Sequence, residues 1–259
     1  MIWVLAGTGD SFRLIDKLIE YKTDILASVV TDYGEKKLAD KNIKIIKDSL
    51  DISGMIKLIK KYNIELIIDA THPFAEVVSQ NAIEAGQNTD TKYIRFEREA
   101  IDLSHYTKEY IISVHSYEEA VVEAAKFENI FLTIGSNNLK YFTSQINDWP
   151  QRLTARVLAD SKFIKRAENL GFTPANIIAM QGPFSKKLNK ILMAESEADV
   201  IVSKASGNIG GLDTKIRAAI ELKIPIIIIK RPRLHYPLIF NNLEKLIEYC
   251  FSGVEKYNE

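Results

Sequence analysis

A glycine-rich turn follows the first apolar run of the chain. Ile2–Ala6 leads directly into Gly7-Thr8-Gly9-Asp10-Ser11, and helical spacing of apolar residues begins at once. A strand, a tight turn and a helix N-terminus bring backbone N–H groups and the positive end of a helix dipole to one place. Glycine lets an anion approach the backbone closely, and Thr8 and Ser11 would add hydroxyl donors. The pattern predicts a phosphate-binding turn for a nucleotide; the alternative is that Asp10 or Ser11 only caps the helix.

A second candidate position follows the next apolar run. Ile25–Val30 ends in Thr31-Asp32. In nucleotide-binding α/β folds this position faces the adenosine ribose, where an acid favours a free 2′-hydroxyl and therefore NADH over NADPH. The alternative for Asp32 is a turn or helix-capping residue.

A third motif closes the run Leu66–Ala70. It reads Asp69-Ala70-Thr71-His72-Pro73-Phe74-Ala75, and Pro73 suits the first turn of a helix capped by Thr71 or His72. Ligands of open α/β sheets bind at the carboxyl ends of the strands, which is where this motif lies. The alternative for His72 is an ordinary loop histidine.

Short apolar runs alternate with longer amphipathic segments along the chain, which predicts parallel sheets joined by helical crossovers. About ten strands are too many for one half, so we expect two α/β lobes. The first would span 1–100 and bind the nucleotide, and the second 101–259 and bind the substrate, with a hinge at Arg98–Tyr110. The segment 243–250 reads as a short helix that packs on either lobe. The predicted strands are Ile2–Ala6, Ile25–Val30, Leu66–Ala70, Ile94–Phe96, Ile111–Val114, Ile130–Ile134, Leu153–Val157, Ile177–Met180, Val200–Val202 and Ile226–Ile229.

The composition narrows the class of protein. The 259 residues carry 34 basic and 34 acidic side chains, so the zero net charge argues against a general nucleic-acid binder. Cys250 is the single cysteine, which excludes an internal disulfide and a cysteine-based metal cage. Apolar runs such as Ile224–Ile229 are far shorter than the roughly 20 residues of a membrane helix. We expect a cytoplasmic protein without a metal, a nucleic-acid partner or a membrane partner, as a monomer or a homodimer.

Several motifs, in order along the chain, resemble the precorrin-6A reductases of cobalamin biosynthesis. The most specific is the run 69–75 given above, followed by Ser79-x-Asn81-Ala82 and by Tyr93-x-Arg95-Phe96-Glu97-Arg98. Further stretches that resemble the family are Phe131–Gly135, Gln181–Phe184 and Val202–Gly207, with Lys215 and Ala218-Ala219 after them. The matches extend from Gly7 to Pro232.

The resemblance implies a reaction. The family reduces a carbon–carbon double bond of the precorrin-6A macrocycle, metal-free or containing cobalt, and gives the dihydro product precorrin-6B. A nicotinamide cofactor, NADPH or NADH, supplies a hydride to one ring carbon, and a proton is added to the neighbouring carbon. The family fold is two Rossmann-like lobes with the active site in the cleft.

The resemblance also implies roles for individual residues. Gly7, Thr8, Gly9, Asp10 and Ser11 correspond to the phosphate turn, and Ala70, Thr71 and His72 to the edge near the nicotinamide. Lys204, Ser206 and Gly207 correspond to the loop that faces the macrocycle, and the proton would come from Lys204, His72 or a water. The chain departs from the family pattern at Phe12, where an arginine is common and Arg13 follows as a candidate substrate contact. It departs again at Ala205, where the family often has Asp or Asn.

The substrate's acetate and propionate groups require donors. Arg95 and Lys204 are the strongest candidates because each lies at or just past the end of a strand; for Arg95 the alternative is an interlobe ion pair with Glu97 or Glu99. The basic residues near the expected cleft are Arg95, Arg98, Arg156, Lys186, Lys187, Lys204, Lys230 and Arg231.

Two other functions stay open from the sequence. One is a different two-lobed NAD(P)-dependent oxidoreductase of the short-chain or saccharopine type. Short-chain enzymes use a Tyr-x-x-x-Lys pair for catalysis. The candidates here are Tyr21 with Lys22, one residue apart, and Tyr33 with Lys37, four residues apart. Both lie too early in the chain to act as that pair. The other is a non-catalytic sensor that binds a dinucleotide, for which no segment is left over to form a partner-binding module.

Overall fold

The computed structural model describes residues 1–207 and 210–252. The chain forms two compact units, and the first combines residues 1–99 with the segment that begins at Arg233, while the second spans Ala100–Pro232. The sequence assigned 101–259 to one continuous lobe. In the structure the chain returns to the first unit at Arg233, and the last seven residues of that assignment lie outside the described residues.

Both units are built from short strands and the helices that connect them. The strands are β1 (Ile2–Leu5), β2 (Ile25–Val29), β3 (Lys44–Lys47), β4 (Leu66–Asp69), β5 (Lys92–Phe96), β6 (Ile111–Val114), β7 (Ile130–Thr133), β8 (Leu153–Val157), β9 (Ile177–Ala179), β10 (Val200–Lys204), β11 (Ile226–Ile229) and β12 (Ile239–Phe240). The α-helices are α1 (Gly9–Ile19), α2 (Asp32–Leu38), α3 (Ile52–Tyr62), α4 (Glu76–Thr89), α5 (Tyr117–Ala124), α6 (Leu139–Thr143), α7 (Trp149–Arg152), α8 (Ser161–Glu168), α9 (Lys186–Glu195), α10 (Leu212–Leu222) and α11 (Leu243–Cys250).

The first unit contains a six-stranded parallel sheet in the order β12-β5-β4-β1-β2-β3. Its central strands are buried on both faces, as parallel strands between helix layers should be. Apolar side chains of α1 pack on one face together with Leu246 and Ile247 of α11, and those of α3 and α4 pack on the other. The C-terminal helix therefore belongs to the first unit.

The second unit repeats this strand order. Its parallel sheet runs β6-β11-β10-β7-β8-β9, and α9 and α10 cover one face through Met193, Leu212 and Ile216. The fold prediction of two parallel α/β units is confirmed, and each of the ten predicted strands is present. The strands that the sequence did not predict are β3 and β12.

No helix within the described ranges is long and apolar enough to cross a membrane.

Candidate active site

An open cavity of about 190 Å³ lies at the carboxyl edge of the first sheet. The ends of β1, β2 and β4 line it, with the loop after β3 and the first turns of the helices on the same face. Its lining includes Gly7, Val30, Asp48, Ser49, Met55, Thr71, His72 and Val78. In doubly wound sheets this edge, near the point where the strand order reverses, is where ligands bind.

The glycine-rich turn is held in place by its own hydroxyls. Thr8 is the N-cap of α1: its Oγ1 accepts a hydrogen bond from the Ser11 N–H at 3.1 Å and donates one to the Ala70 carbonyl at 2.9 Å. Ser11 Oγ accepts from the N–H groups of Gly7 and Thr8, both at 3.0 Å, and donates to the Thr8 carbonyl at 2.7 Å. The bond to Ala70 ties this turn to the loop after β4.

These hydrogen bonds determine which groups of the turn remain available to donate to a phosphate. A serine hydroxyl has one proton and two lone pairs, and the Ser11 hydroxyl uses all three within the turn. The Thr8 hydroxyl proton is likewise used by Ala70. The expectation that Thr8 and Ser11 add hydroxyl donors for a phosphate is therefore not met in this arrangement.

The turn still fits a phosphate through its backbone. Gly7 has a φ of +134°, a conformation that favours glycine, and a Cβ built there would meet no atom within 4 Å. The exposed residue Gly9 opens α1, where the helix dipole is positive. The space over Gly7 and the N-terminus of α1 are therefore suited to an anionic group.

Asp10 lies in this first helical turn, and its carboxylate forms an ion pair with Arg98 at 2.5 Å. The pair offsets the negative charge that Asp10 would otherwise place beside an incoming phosphate. Arg13, one turn further along α1, is exposed.

The end of β2 carries the predicted ribose position. Thr31 caps α2 by accepting from the Gly34 N–H at 3.1 Å, and the Asp32 side chain is 72% exposed. Lys47 Nζ lies 2.7 Å from both the Asp32 and the Glu35 carboxylates, which raise the pKa of Lys47. With two carboxylates to one ammonium, this group keeps a net negative charge.

A buried network holds the loop after β4. The Asp69 side chain is fully buried, and its Oδ1 accepts from the Thr71 N–H at 3.0 Å, from Thr71 Oγ1 at 2.6 Å and from Arg95 Nη1 at 2.8 Å. Its Oδ2 accepts from Ser79 Oγ at 2.5 Å and from Tyr93 Oη at 2.7 Å. Burial and the Asp69 carboxylate raise the pKa of Tyr93, so Tyr93 remains a neutral donor.

Arg95 is the centre of this network. Its side chain is fully buried, and it bonds to Glu97 Oε2 at 2.8 Å and to the Thr71 carbonyl at 3.1 Å, with the Tyr236 ring 5.4 Å from its guanidinium carbon. The alternative of an ion pair with Glu97 is thus present, and it lies within the first unit. Arg95 positions Thr71; its contact with substrate remains a prediction.

His72 lines the cavity. Its Nδ1 accepts from the Phe74 N–H at 3.2 Å, so in the neutral imidazole the proton is on Nε2. The helix that the sequence placed at Pro73 begins instead at Glu76, with Ala75 as N-cap. The reason is that Asp69 binds the Thr71 N–H and hydroxyl and holds 71–75 as a separate turn.

The second unit positions the lysine loop at the carboxyl end of β10. Lys204 is partly exposed, and burial of its ammonium lowers the pKa to about 8. Arg231 Nε donates to the Ala205 carbonyl at 3.0 Å, and a Cβ on Gly207, whose φ is +80°, would meet Arg231 Nη2 at 3.2 Å. Arg231 therefore braces the loop that contains Lys204 and Ser206.

Sequence reasoning did not assign roles to Ser79, Tyr93 or Lys215, although all three lie in stretches that resemble the family. Ser79 and Tyr93 read as helix and strand residues, and only the fold places their hydroxyls on Asp69. Lys215 reads as an ordinary helix lysine, but it is 6% exposed.

These features define the class: an α/β protein of two Rossmann-like units, with a nucleotide-type turn in the first and a buried basic edge in the second. A sequence model described as precorrin-6x reductase CbiJ/CobK matches residues 1–251. The chain belongs to this family, whose members are oxidoreductases that act on a CH–CH bond.

Individual relatives agree with this assignment. The chain is 38% identical over 248 residues to a cobalt-precorrin-6A reductase of Methanocaldococcus jannaschii, covering 95% of this chain and 96% of the relative. It is 36% identical over 249 residues to a cobalt-precorrin-6A reductase of Priestia megaterium, and the alignment covers 95% of this chain and 96% of that relative. A solved structure of CobK precorrin-6A reductase is similar with a TM-score of 0.79 at 22% identity, covering 99% of each chain, and supports the fold.

Proposed function

We propose that the protein reduces a ring carbon–carbon double bond of cobalt-precorrin-6A with NADH in the cytoplasm. One observation carries the proposal: the family match extends over residues 1–251, and the chemistry-bearing residues of both units lie at the carboxyl ends of their sheets. The cobalt-containing ring is favoured because the relatives at 38% and 36% identity are both named for it. The cytoplasm is expected because reduced nicotinamide cofactors are held inside the cell.

The first unit would hold the cofactor. The turn Gly7, Thr8, Gly9, Asp10 and Ser11 would receive the diphosphate in the open space over Gly7, at the positive end of the α1 dipole. Thr31 and Asp32 would lie at the adenosine ribose, and the carboxylate of Asp32 favours NADH. Ala70, Thr71 and His72 would form the edge toward the nicotinamide. When bound, reduced nicotinamide supplies the hydride, so that C=C, NADH and one proton give CH–CH and NAD⁺.

The second unit would supply the proton and part of the substrate contact. Lys204 is the proposed proton donor, because a pKa of about 8 keeps most of its ammonium protonated near neutral pH while making it a stronger acid than an ordinary lysine. Ser206 and Gly207 would contact the macrocycle from the same loop. His72 would orient the reacting ring as a neutral Nε2–H donor, and Arg13 is a further candidate for a substrate carboxylate.

Steady-state turnover of NADH with cobalt-precorrin-6A tests the proposal. The wild-type protein should oxidise NADH only when the tetrapyrrole is present. Lys204→Ala should lower kcat by about 10²–10⁴-fold, the usual contribution of a general acid, and leave the Kd for NADH unchanged. The wild-type rate should fall as the pH rises through about 8, because Lys204 then loses its proton.

The exposed Lys162 on α8 provides the matched control, and Lys162→Ala should retain wild-type turnover. If Lys204→Ala retained full activity, the proton donor would be a different group. If the wild-type protein left NADH unconsumed in the presence of the tetrapyrrole, the proposed reaction itself would be wrong.

A further inference from the structure

The carboxyl edge of the second sheet contains a buried group of basic side chains. Arg156 of β8 is 7% exposed and Lys215 of α10 is 6% exposed. Hydrogen bonds link Arg156 through Asn189 to Thr214, the residue before Lys215 on α10. Both Arg156 and Lys204 also lower the pKa of Lys215. Arg156 and Lys215 are thus enclosed, and Lys204 at the end of β10 is partly exposed.

Strand register puts Arg156 and Ser203 on the same face of the sheet. Phe131 of β7 pairs with Thr154 of β8 and with Ile201 of β10, and side chains two residues further along each strand return to that face. The Arg156 guanidinium carbon accordingly lies 5.7 Å from the Phe131 ring centroid, and 4.3 Å from that of Phe184. This is the face that α9 and α10 cover.

The polar partners of this group are neutral. Arg156 Nη1 donates to Asn189 Oδ1 at 2.8 Å, and Asn189 Nδ2 in turn donates to Thr214 Oγ1 at 3.2 Å. Burial and the two neighbouring cations lower the pKa of Lys215 to about 7, and burial lowers that of Arg156 to about 10. Among the described residues, no carboxylate is a cause of either shift.

Two hydroxyls at the same edge lack hydrogen-bond partners within the described part of the chain. They are the Oγ atoms of Ser203, which is fully buried, and Ser136, which is 4% exposed. Ser136 follows Gly135, which has a φ of +76° and no atom within 4 Å of a built Cβ. Gly135 thus occupies after β7 the place that Gly7 occupies after β1, with open space beside it.

A buried cation without a counter-charge and a buried hydroxyl without a hydrogen-bond partner both destabilise the folded state. An oxyanion relieves both costs, because it provides a negative charge and accepts several hydrogen bonds at once. A carboxylate has two oxygens and fits an enclosed site. The tetrapyrrole substrate offers such groups at its rim, while the other source of an oxyanion in the reaction is a phosphate of the cofactor.

We propose that Arg156, Lys215 and the Ser203 hydroxyl form a buried oxyanion site at the carboxyl edge of the second sheet, which receives a peripheral carboxylate of the tetrapyrrole. The choice of occupant rests on the proposed function. The site fixes one substituent of the ring, so that Lys204 at the same edge meets the macrocycle in a defined orientation.

Equilibrium binding of cobalt-precorrin-6A, NADH and NADPH to Lys215→Met tests the site, with Lys162→Met as the exposed-lysine control. Losing one charged hydrogen bond is worth about 1.5–3 kcal/mol, so the Kd for the tetrapyrrole should rise roughly 10- to 100-fold while both cofactor affinities stay unchanged. An unchanged tetrapyrrole Kd overturns the proposal. If only NADPH bound more weakly, the site would belong to a phosphate of the cofactor, and the proposal that it receives a substrate carboxylate would be wrong.

Ser203→Ala keeps the proposal testable if Lys215→Met does not fold. The Ser203 hydroxyl has no hydrogen-bond partner among the described residues, so its removal should leave the free energy of unfolding unchanged or increase it. It should still weaken tetrapyrrole binding. A variant that loses stability but not affinity contradicts the site.

Proton uptake by the wild-type protein is a further readout that does not depend on turnover. At a pH of about 8–9, binding of the tetrapyrrole should draw protons from buffer as an incoming carboxylate raises the pKa values of Lys215 and Lys204. No uptake argues against the site, even if NADH is oxidised normally. Normal uptake with no NADH oxidation would instead disprove only the proposed reaction.

Discussion

Two aspartates of the first unit show how surroundings decide what a carboxylate can do. Asp69 is fully buried and accepts from donors on Thr71, Ser79, Tyr93 and Arg95, so its oxygens have no capacity left for a ligand. The Asp32 side chain is 72% exposed. The first aspartate positions a loop, while the second remains the proposed contact for the cofactor ribose.

Replacing Asp32 tests cofactor preference at this scale. Asp32→Asn removes the carboxylate, which would repel a 2′-phosphate and accept a hydrogen bond from a 2′-hydroxyl. The ratio of kcat/KM for NADH to that for NADPH should therefore fall by about tenfold or more, since each 1.4 kcal/mol is tenfold. The matched control is Glu35→Gln, because Glu35 lies at the same 2.7 Å from Lys47. An unchanged ratio in Asp32→Asn, or an equal change in Glu35→Gln, would mean that Asp32 does not contact the ribose.

At the residue scale the sequence identified candidate residues but not their hydrogen-bond partners. The motif 69–75 was visible from the sequence, but the hydroxyls of Ser79 and Tyr93 reach Asp69 only because α4 and β5 lie beside β4. The hydrogen bonds of the Ser11 hydroxyl could not be predicted either, because the pattern Gly-x-Gly-x-Ser is compatible both with a donor to phosphate and with a helix cap. The roles of the site residues stay predictions.

At the element scale, the start of α1 combines a helix cap with a ligand-type turn. Thr8 and Ser11 form a reciprocal capping box, and Ser11 also accepts the Gly7 N–H. The turn is therefore held in shape before any ligand arrives. A turn fixed in this way loses little conformational entropy on binding.

Ser11→Ala should lower the free energy of unfolding by about 1–2 kcal/mol, because it leaves the amides of Gly7 and Thr8 without their acceptor. Urea unfolding followed by circular dichroism measures the effect. Ser53→Ala is the control: that exposed hydroxyl donates to Asp51 at 3.0 Å on the surface of α3, and its loss should cost little. Equal urea midpoints for wild type and Ser11→Ala would contradict the proposed role of the cap.

Elements with a clear apolar period were predictable, and those without one were not. β3 has exposed lysines at both ends, and β12 is two residues long, so neither has a recognisable strand pattern. The late start of α4 was missed because Asp69 competes for the Thr71 donors.

For the whole molecule, the two sheets share one strand order, and each has an edge strand that follows a strand of the other unit in the chain. β12 follows β11 of the second unit yet pairs with β5, and β6 follows β5 of the first unit yet pairs with β11. Local sequence patterns contain no information about such exchanges. This is why the sequence assigned 101–259 to the second lobe and left the helix at 243–250 open to packing on either.

The buried basic group of the second unit predicts how global stability depends on pH. The pKa of Lys215 falls from 10.5 to about 7 on folding, so between these values the unfolded chain binds more protons than the folded chain. The free energy of unfolding should therefore rise as the pH increases from about 7 toward 10. Arg156 on β8 and Lys204 on β10 are the charged groups that act on Lys215, and Asn189 on α9 is neutral.

Urea unfolding at a pH of about 6.5 and about 9 measures this effect. Lys215→Met, which does not titrate, should show a smaller rise than the wild type, while Lys162→Met should match the wild type. A wild-type stability that falls over the same interval, or an equal rise in Lys215→Met, contradicts the assignment of the rise to Lys215.

The most direct measurement of the central claim is a crystal structure of the protein with bound NADH. The account predicts that the diphosphate lies at the N-terminus of α1, over Gly7 and Gly9, with the adenosine ribose toward Asp32. A coenzyme bound elsewhere, with no ligand density over the first glycine turn, would contradict it.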